Sequence, residues 1–431
     1  MLSEHYSPSR KYNPATEYLN TPRPPPEDDD ELEMVEVTEE ELERILYNED
    51  YDDSQPDSRT PVQDESELTF SEHKGPVFGC ALHPQHDWAV TAGEDDMAFV
   101  WNTKTGEVLH KISNHQDTIT EVHFSYDGSY LAIGDLAGEL EVLRISESST
   151  PEFRKVWEYS MGDMAWLRWH RGANVLLAGS DNGEVYVWRI PSGDCKILPG
   201  NGLKCEAGEL SGDGKKLFVA YTNGVLKLWD LKNCTVLMEV DSQHPLAHEG
   251  QVTSVACDKE SSLYMSGGQD DKIIFCSNNG PVGSVTASGP VECVAFSPSS
   301  DLKMAASGTL HGEIAIWDFA KLSLRTLCEM KWLSDYTLLV ATIQGNIYAY
   351  DARSGTRKFK LSGHMADIYE MQYDAREKIL LSVSEDHAAK IFKVPQLAVT
   401  FANTWHFCQN LIMHYLLTVA RKKRKKCTNT I

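Results

Sequence analysis

From about Ser66 onward, short runs of β-branched, aromatic and aliphatic residues alternate with turns rich in Gly, Asn, Asp and Ser. Runs of this length and composition predict strands, not helices. Eight of them end alike: AFVW at Trp101, LEVL at Leu143, VYVW at Trp188, LKLW at Trp229, IIFC at Cys276, IAIW at Trp317, IYAY at Tyr350 and KIF at Phe392. The steps between these ends are 42, 45, 41, 47, 41, 33 and 42 residues. Their mean, near 42, matches the ~40–45-residue blade of a β-propeller. A sandwich would not hold that period. The pattern therefore predicts an all-β fold, an eight-bladed propeller over residues 67–394. Glu67–Phe70 (ELTF) is expected to add the outer strand of the last blade, closing the ring without a free edge. The short step before Tyr350 predicts a distorted seventh blade that lacks a loop and part of a strand around Leu324–Leu333.

A second spacing runs through the same region. Asp95, Asp270 and Asp386 each lie six residues before a unit's end. Each has a histidine 22 residues upstream (His73, His248, His364) and a hydroxyl four residues upstream (Thr91, Ser266, Ser382). A buried carboxylate needs donors, and a histidine and a hydroxyl supply them. His115 is expected to stand alone, because position 137 is Ala. A Ser/His/Asp set can be mistaken for a hydrolase triad. Threefold recurrence at blade spacing, with no GxSxG elbow, assigns these sets to the framework.

Trp229-Asp230 and Trp317-Asp318 are the WD dipeptide, Tyr350-Asp351 is a variant of it, and Phe124-Ser125 and Phe296-Ser297-Pro298 match the strand before the turn. The chain resembles the WD-repeat family in these features. In that family the His, Ser/Thr, Asp and Trp form a hydrogen-bonded chain inside a blade. Three stretches are similar to one branch, the angio-associated migratory cell protein family: Thr91–Trp101, Trp166–Lys196 and Ser382–Phe392. Trp188–Lys196 (WRIPSGDCK) is the most specific of them, and the acidic segment Glu33–Glu39 also fits. The resemblance implies a non-enzymatic, mainly cytoplasmic scaffold. It links the animal members to cell migration and angiogenesis, and a fungal relative to chaperoning a basic protein of the large ribosomal subunit.

Charge is uneven. The chain carries 64 Asp+Glu against 40 Lys+Arg, a formal charge of −24. Residues 1–67 hold 21 acids and 5 bases, a net of −16. An acidic, mostly disordered leader is expected over 1–66, with one short helix at Met34–Leu46, where Thr38 and Glu41 form a capping box. The acidic balance argues against a nucleic-acid partner, which needs a basic face. The 41% hydrophobic content allows a sizeable core. Met1–Arg10 is polar and the 10 cysteines include no CxxC pair, so a reduced, intracellular chain is expected. Cys80, Cys257 and Cys293 read as small core residues, and Trp166 and Trp169 as packing. No phosphate loop, HExxH, EF-hand or metal-spaced Cys/His cluster is present, so neither cofactor nor metal is expected.

What remains for function is a propeller face. Three positions per blade recur there: just before the inner strand, two residues on, and just before the Asp. Six blades align as Pro76, Phe78, Glu94; Thr118, Thr120, Leu136; Asp163, Ala165, Asp181; Gln251, Thr253, Gln269; Pro290, Glu292, Leu310; and Asp367, Tyr369, Glu385. Six of these 18 residues are acidic and none is basic, whereas composition alone gives 18 × 64/431, about 2.7 acids. This predicts an acidic dish for a basic protein partner, with Glu94, Asp163, Asp181, Glu292, Asp367 and Glu385 supplying the field and Phe78 and Tyr369 the apolar anchors. A monomer is expected. Residues 395–420 contain no Asp, Glu, Lys or Arg and precede six basic residues, Arg421 to Lys426. That tail reads first as a variant ending without function, then as a basic patch for nuclear import or an anionic surface. It is the one candidate for a membrane anchor, but its Gln, Asn and His residues oppose insertion.

Overall fold

A computed structural model describes residues 63–395, apart from 147–150, 299–302, 320–322, 328–330, 335 and 343. The expected helix at Met34–Leu46 and the tail after Pro395 lie outside the described residues. Every described element is a strand, and the strands form eight four-stranded antiparallel sheets. Seven sheets are contiguous in sequence, at 77–112, 119–160, 164–198, 205–240, 252–286, 291–327 and 331–362. The eighth takes three strands from 368–393 and its outer strand from Leu68–Phe70, which pairs with Ala389–Lys393. These are blades one to eight. Successive inner strands pack on one another from blade one to blade six, and the inner strand of blade eight packs on that of blade one. Blade seven joins its neighbours through its second strand, with Leu338 in a cluster with Met304 and Ile316 and Leu339 in one with Met371 and Tyr373.

The core lies between blades. Val90, Val100, Val122 and Ile133 fill the joint of blades one and two. Phe70, Trp101, Leu381 and Ile391 fill that of eight and one. Trp166 is buried and fills space left by Gly179 and Gly208, where a Cβ would come within 2.3 Å of its ring. Its Nε1 donates to Cys205 Sγ at 3.2 Å, and Trp169 Nε1 donates to His123 O at 2.9 Å. The seven described cysteines are free thiols. Cys80 is buried, whereas Cys257 and Cys293 are only half-buried.

Blade seven keeps all four strands. Its inner strand Lys331–Ser334 has 4 residues where the inner strands of blades one to six have 6. The next strand already begins at Thr337. The shortening thus falls on the inner hairpin and leaves the blade's outer half intact.

A left-handed residue sits at one point of the turn between the second and third strands in all eight blades: Asp96, Gly138, Gly183, Gly224, Asp271, Gly312, Gly345 and His387. Five are glycine, which adopts positive φ without strain. At Gly138 and Gly224 there is a further reason, because a Cβ would meet Gly162 O at 1.6 Å and His248 O at 2.6 Å. The next blade's loop needs that space.

Candidate functional site

The three His/hydroxyl/Asp sets assemble with one geometry. His73 Nδ1 lies 3.1 Å from Asp95 Oδ1, and Nε2 lies 3.0 Å from Thr91 Oγ1. His248 stands 2.8 Å from Asp270 and 2.9 Å from Ser266. His364 stands 2.9 Å from Asp386 and 2.8 Å from Ser382. The carboxylate only accepts, so Nδ1–H donates to it and Nε2 is left to face the hydroxyl. In blade one Trp101 Nε1 then donates to Thr91 Oγ1 at 3.3 Å, completing a four-member chain. Blade six keeps only the last link, Trp317 Nε1 to Ser307 Oγ at 2.8 Å. In blade three Ala178 replaces the hydroxyl, and the buried Trp188 Nε1 has no acceptor among the described residues.

All three histidine side chains are fully enclosed. Their hydrogen bonds tie loops together. Each Asp also accepts a backbone N–H from the residue after its histidine: Lys74 at 2.9 Å, Glu249 at 2.8 Å and Met365 at 2.9 Å. One carboxylate therefore ties the loop entering a blade to the turn inside it. Burial raises the pKa of Asp95, Asp270 and Asp386, but the histidine and backbone donors overcome it and hold all three below the ordinary carboxylate range.

His115 corrects the expectation that it stands alone. Its Nδ1 is 2.8 Å from Asp135 Oδ2, and Nε2 is 3.8 Å from Glu141 Oε1. The acid comes two residues earlier than in the other sets, and Asp135 Oδ1 also accepts Glu139 N at 2.9 Å. Asn114 Nδ2 donates to Glu141 at 2.9 Å, and Lys155 Nζ approaches it at 3.7 Å. Burial depresses the His115 pKa, yet the two carboxylates carry it up to about 9.

These frames position the face. The first and third recurring positions of each blade are joined by one backbone hydrogen bond, with the third residue's N–H donating to the first residue's carbonyl. The pairs are Glu94 to Pro76 (2.9 Å), Leu136 to Thr118 (3.0 Å), Asp181 to Asp163 (3.0 Å), Gln269 to Gln251 (2.9 Å), Leu310 to Pro290 (2.8 Å) and Glu385 to Asp367 (3.0 Å). Thr222 to Lys204, at 3.1 Å, adds blade four, which sequence alignment missed. The second position is a β-bulge in every one of these blades: Phe78, Thr120, Ala165, Glu206, Thr253, Glu292 and Tyr369. A bulge leaves its residue out of the ladder and re-aims its side chain.

Glu94, Asp181, Asp367 and Glu385 are half-buried at this rim, and Asp163 is exposed. Two expected site residues are not surface groups. Glu292 is only 9% exposed, and burial pushes its carboxyl up to about 7, so it withdraws from the acidic field. Phe78 is 3% exposed, its ring 5.0 Å from that of Tyr369 across the joint of blades eight and one. Phe78 is therefore a support for the half-buried Tyr369, not an anchor. The exposed apolar groups on this side are Leu310 at 62%, Met365 at 46% and Leu203 at 42%. Met365 and Leu203 escaped sequence reasoning because they lie in the entering loops, just outside the aligned positions. Blade four also brings a cation, Lys204, but Glu206 Oε2 meets it at 2.7 Å and Thr222 Oγ1 donates to Glu206 at 2.9 Å. Among the described residues no cluster of three or more His, Cys, Asp or Glu side chains is arranged to hold a metal ion.

The human angio-associated migratory cell protein is 32% identical to this chain over 404 residues, covering 86% of the chain and 91% of the human protein. The chain belongs to the angio-associated migratory cell protein family. Residues 64–102, 106–139 and 279–318 match the WD domain, G-beta repeat. Members of this family are WD-repeat propellers, and the chain's eight blades place it among protein-binding scaffolds. The fold is shared with Sqt1 from Saccharomyces cerevisiae, with TM-score 0.71, 17% identity, and coverage of 78% of this chain and all of that one. It is also shared with Chaetomium thermophilum Sqt1 bound to the N-terminus of the ribosomal protein L10, with TM-score 0.70, 20% identity, and coverage of 77% of this chain and all of that one.

Proposed function

We propose that the propeller face binds an extended basic segment of a partner protein, of the kind a ribosomal protein terminus presents. The observation that carries this reading is the rim itself. Seven blades each deliver three residues to equivalent points through one hydrogen bond and one bulge. Five of the acids so delivered are accessible, and the single cation is neutralised within its own blade. The L10 segment seated on a propeller of the same fold supports a peptide as the occupant. The carboxylates would steer a cationic chain and Leu310, Met365 and Tyr369 would hold it once bound. Release of a basic protein at its assembly site fits such a salt-sensitive grip better than a role in cell migration, which rests on the human relative's name alone. We place this activity in the cytoplasm, with no catalytic step.

A labelled Lys/Arg-rich peptide of about 20 residues tests the reading by fluorescence anisotropy. Its affinity should fall on the order of 10-fold between 50 and 300 mM salt, because the contributing charges lie within a Debye length of ~6–14 Å. Salt-independent binding would remove the acidic face from the account.

A further inference from the structure

The outer strand of blade seven, Thr356–Ser362 (TRKFKLS), carries three cations and no acid on a chain of net charge −24. No other described outer strand has so large an excess of cations: Glu152–Ser160 balances Arg154 and Lys155 with two glutamates, Thr235–Val240 carries Glu239 alone, and Val108–Ile112 and Ser323–Leu327 carry one lysine or arginine each. Arg357, Lys358 and Lys360 are all exposed. A bulge at Lys358 shifts the register, since Ala349 pairs with Phe359 but Tyr350 pairs with Arg357. The extra residue resets the alternation, so Arg357 and Lys360, three apart, share one sheet face. There both lie over the Tyr348 ring, at 5.7 and 5.8 Å from its centroid. Lys358 turns to the other face, 2.7 Å from Thr337 Oγ1 and 3.5 Å from Asp351. Among the described residues no carboxylate lies within 4 Å of Arg357 or Lys360.

The strand pairs with Asn346–Asp351 on one side only, so its far edge presents backbone donors and acceptors. The end of that edge already accepts an acidic segment. Glu65 N donates to Ser362 O at 2.8 Å, and Ser362 N donates to Glu65 Oε2 at 2.7 Å. Asp64 beside it meets Lys390 at 2.6 Å.

We propose that this edge is a second docking surface, on which an extended acidic segment of a partner protein adds as a fifth strand of blade seven. The side chains of an added strand alternate between two faces. Carboxylates on one face meet Arg357 and Lys360, while the other face, where Lys358 is already paired with Asp351, takes apolar side chains. Strand addition supplies affinity through main-chain hydrogen bonds, and the cations supply selectivity. A polypeptide fits where a nucleic acid does not, because only a polypeptide matches the ladder and the chain's overall negative field repels a long polyphosphate.

The probe is a labelled ten-residue peptide of alternating Glu and Val, titrated into the full chain at 50 mM salt. Three comparisons accompany it: the double variant Arg357→Glu/Lys360→Glu, the same peptide with alternate amides N-methylated, and an oligonucleotide of equal charge. Saturable binding is expected, at least about 20-fold weaker in the double variant and about 10-fold weaker for the methylated peptide. The variant should still bind the basic peptide at the opposite-signed face, which shows that it is folded and separates this surface from that one. The proposal is overturned if the full chain does not bind, if the folded variant binds equally well, or if the oligonucleotide matches the peptide.

Discussion

Asp386→Ala should destabilise the chain by about 3–5 kcal/mol, the usual consequence of removing one partner from a buried, hydrogen-bonded pair. The substitution strips His364 of its acceptor and releases Met365 N and Ala388 N together. It acts on the blade that closes the ring, where Phe392 packs beside His364 with ring centroids 6.3 Å apart. The loss should appear in denaturant unfolding, and the Met365 amide should exchange faster even where the global fold survives. Asp386→Asn, which keeps an acceptor, should cost about half as much. A loss under ~1 kcal/mol would mean that the carboxylate is not structural. Acid should mimic the substitution. The folded pKa values of Asp95, Asp270 and Asp386 are depressed, so their contribution is complete above the unfolded value of ~3.9 and disappears as pH falls through the folded values.

The second large effect runs toward alkaline pH. His115 has a folded pKa near 9 against ~6.5 unfolded. A raised pKa contributes stability that is fully present below the unfolded value and is lost as pH rises through the folded one. Between pH ~6.5 and ~9 the chain should therefore lose on the order of 2 kcal/mol from this buried site. The groups around it set the size: Asp135 and Glu141 hold the proton, Asn114 braces Glu141, and Lys155 competes at 3.7 Å. His115→Gln should flatten the stability profile over that window, leaving the acid contribution of Asp95, Asp270 and Asp386 unchanged. An unaltered alkaline slope would show that the imidazole is not charged in the fold.

These two sites mark the boundary of what the amino-acid pattern reveals. The sets at Asp95, Asp270 and Asp386 were legible because one spacing recurs three times, as were the eight units whose third strands end in matching residues. Repetition makes each copy a check on the others. His115 was missed because its partner departs from that spacing. Asp135 sits at the end of its second strand, two residues before the turn position that Ala137 occupies. Blade four escaped alignment for a related reason. Asn201 and Asn223 stand where other blades hold His and Asp, so no His–Asp spacing marks its loops. Burial at the rim was not legible at all. Phe78 is covered by Tyr369, which lies 291 residues further along the chain and meets it only when the ring closes. Glu292 is an acid like Glu94 in sequence, yet it sits on the bulge within its blade's inner strand and is buried there. The leader's boundary also moved: Asp64 and Glu65, expected to be loose, are tied to Lys390 and Ser362.

The framework and the face meet in single residues, since Glu94, Gln269 and Glu385 directly precede the three structural aspartates. Loosening a frame should therefore blur the rim, whereas neutralising the rim should leave the frame untouched. The direct test is the combined variant Glu94→Gln, Asp163→Asn, Asp181→Asn, Asp367→Asn and Glu385→Gln. Its unfolding midpoint and its binding of the basic peptide are measured side by side by calorimetry. Unchanged stability with binding weakened about 30- to 100-fold is predicted, at roughly half a kcal/mol for each rim charge. Full-strength binding by the neutralised, folded variant would contradict the account.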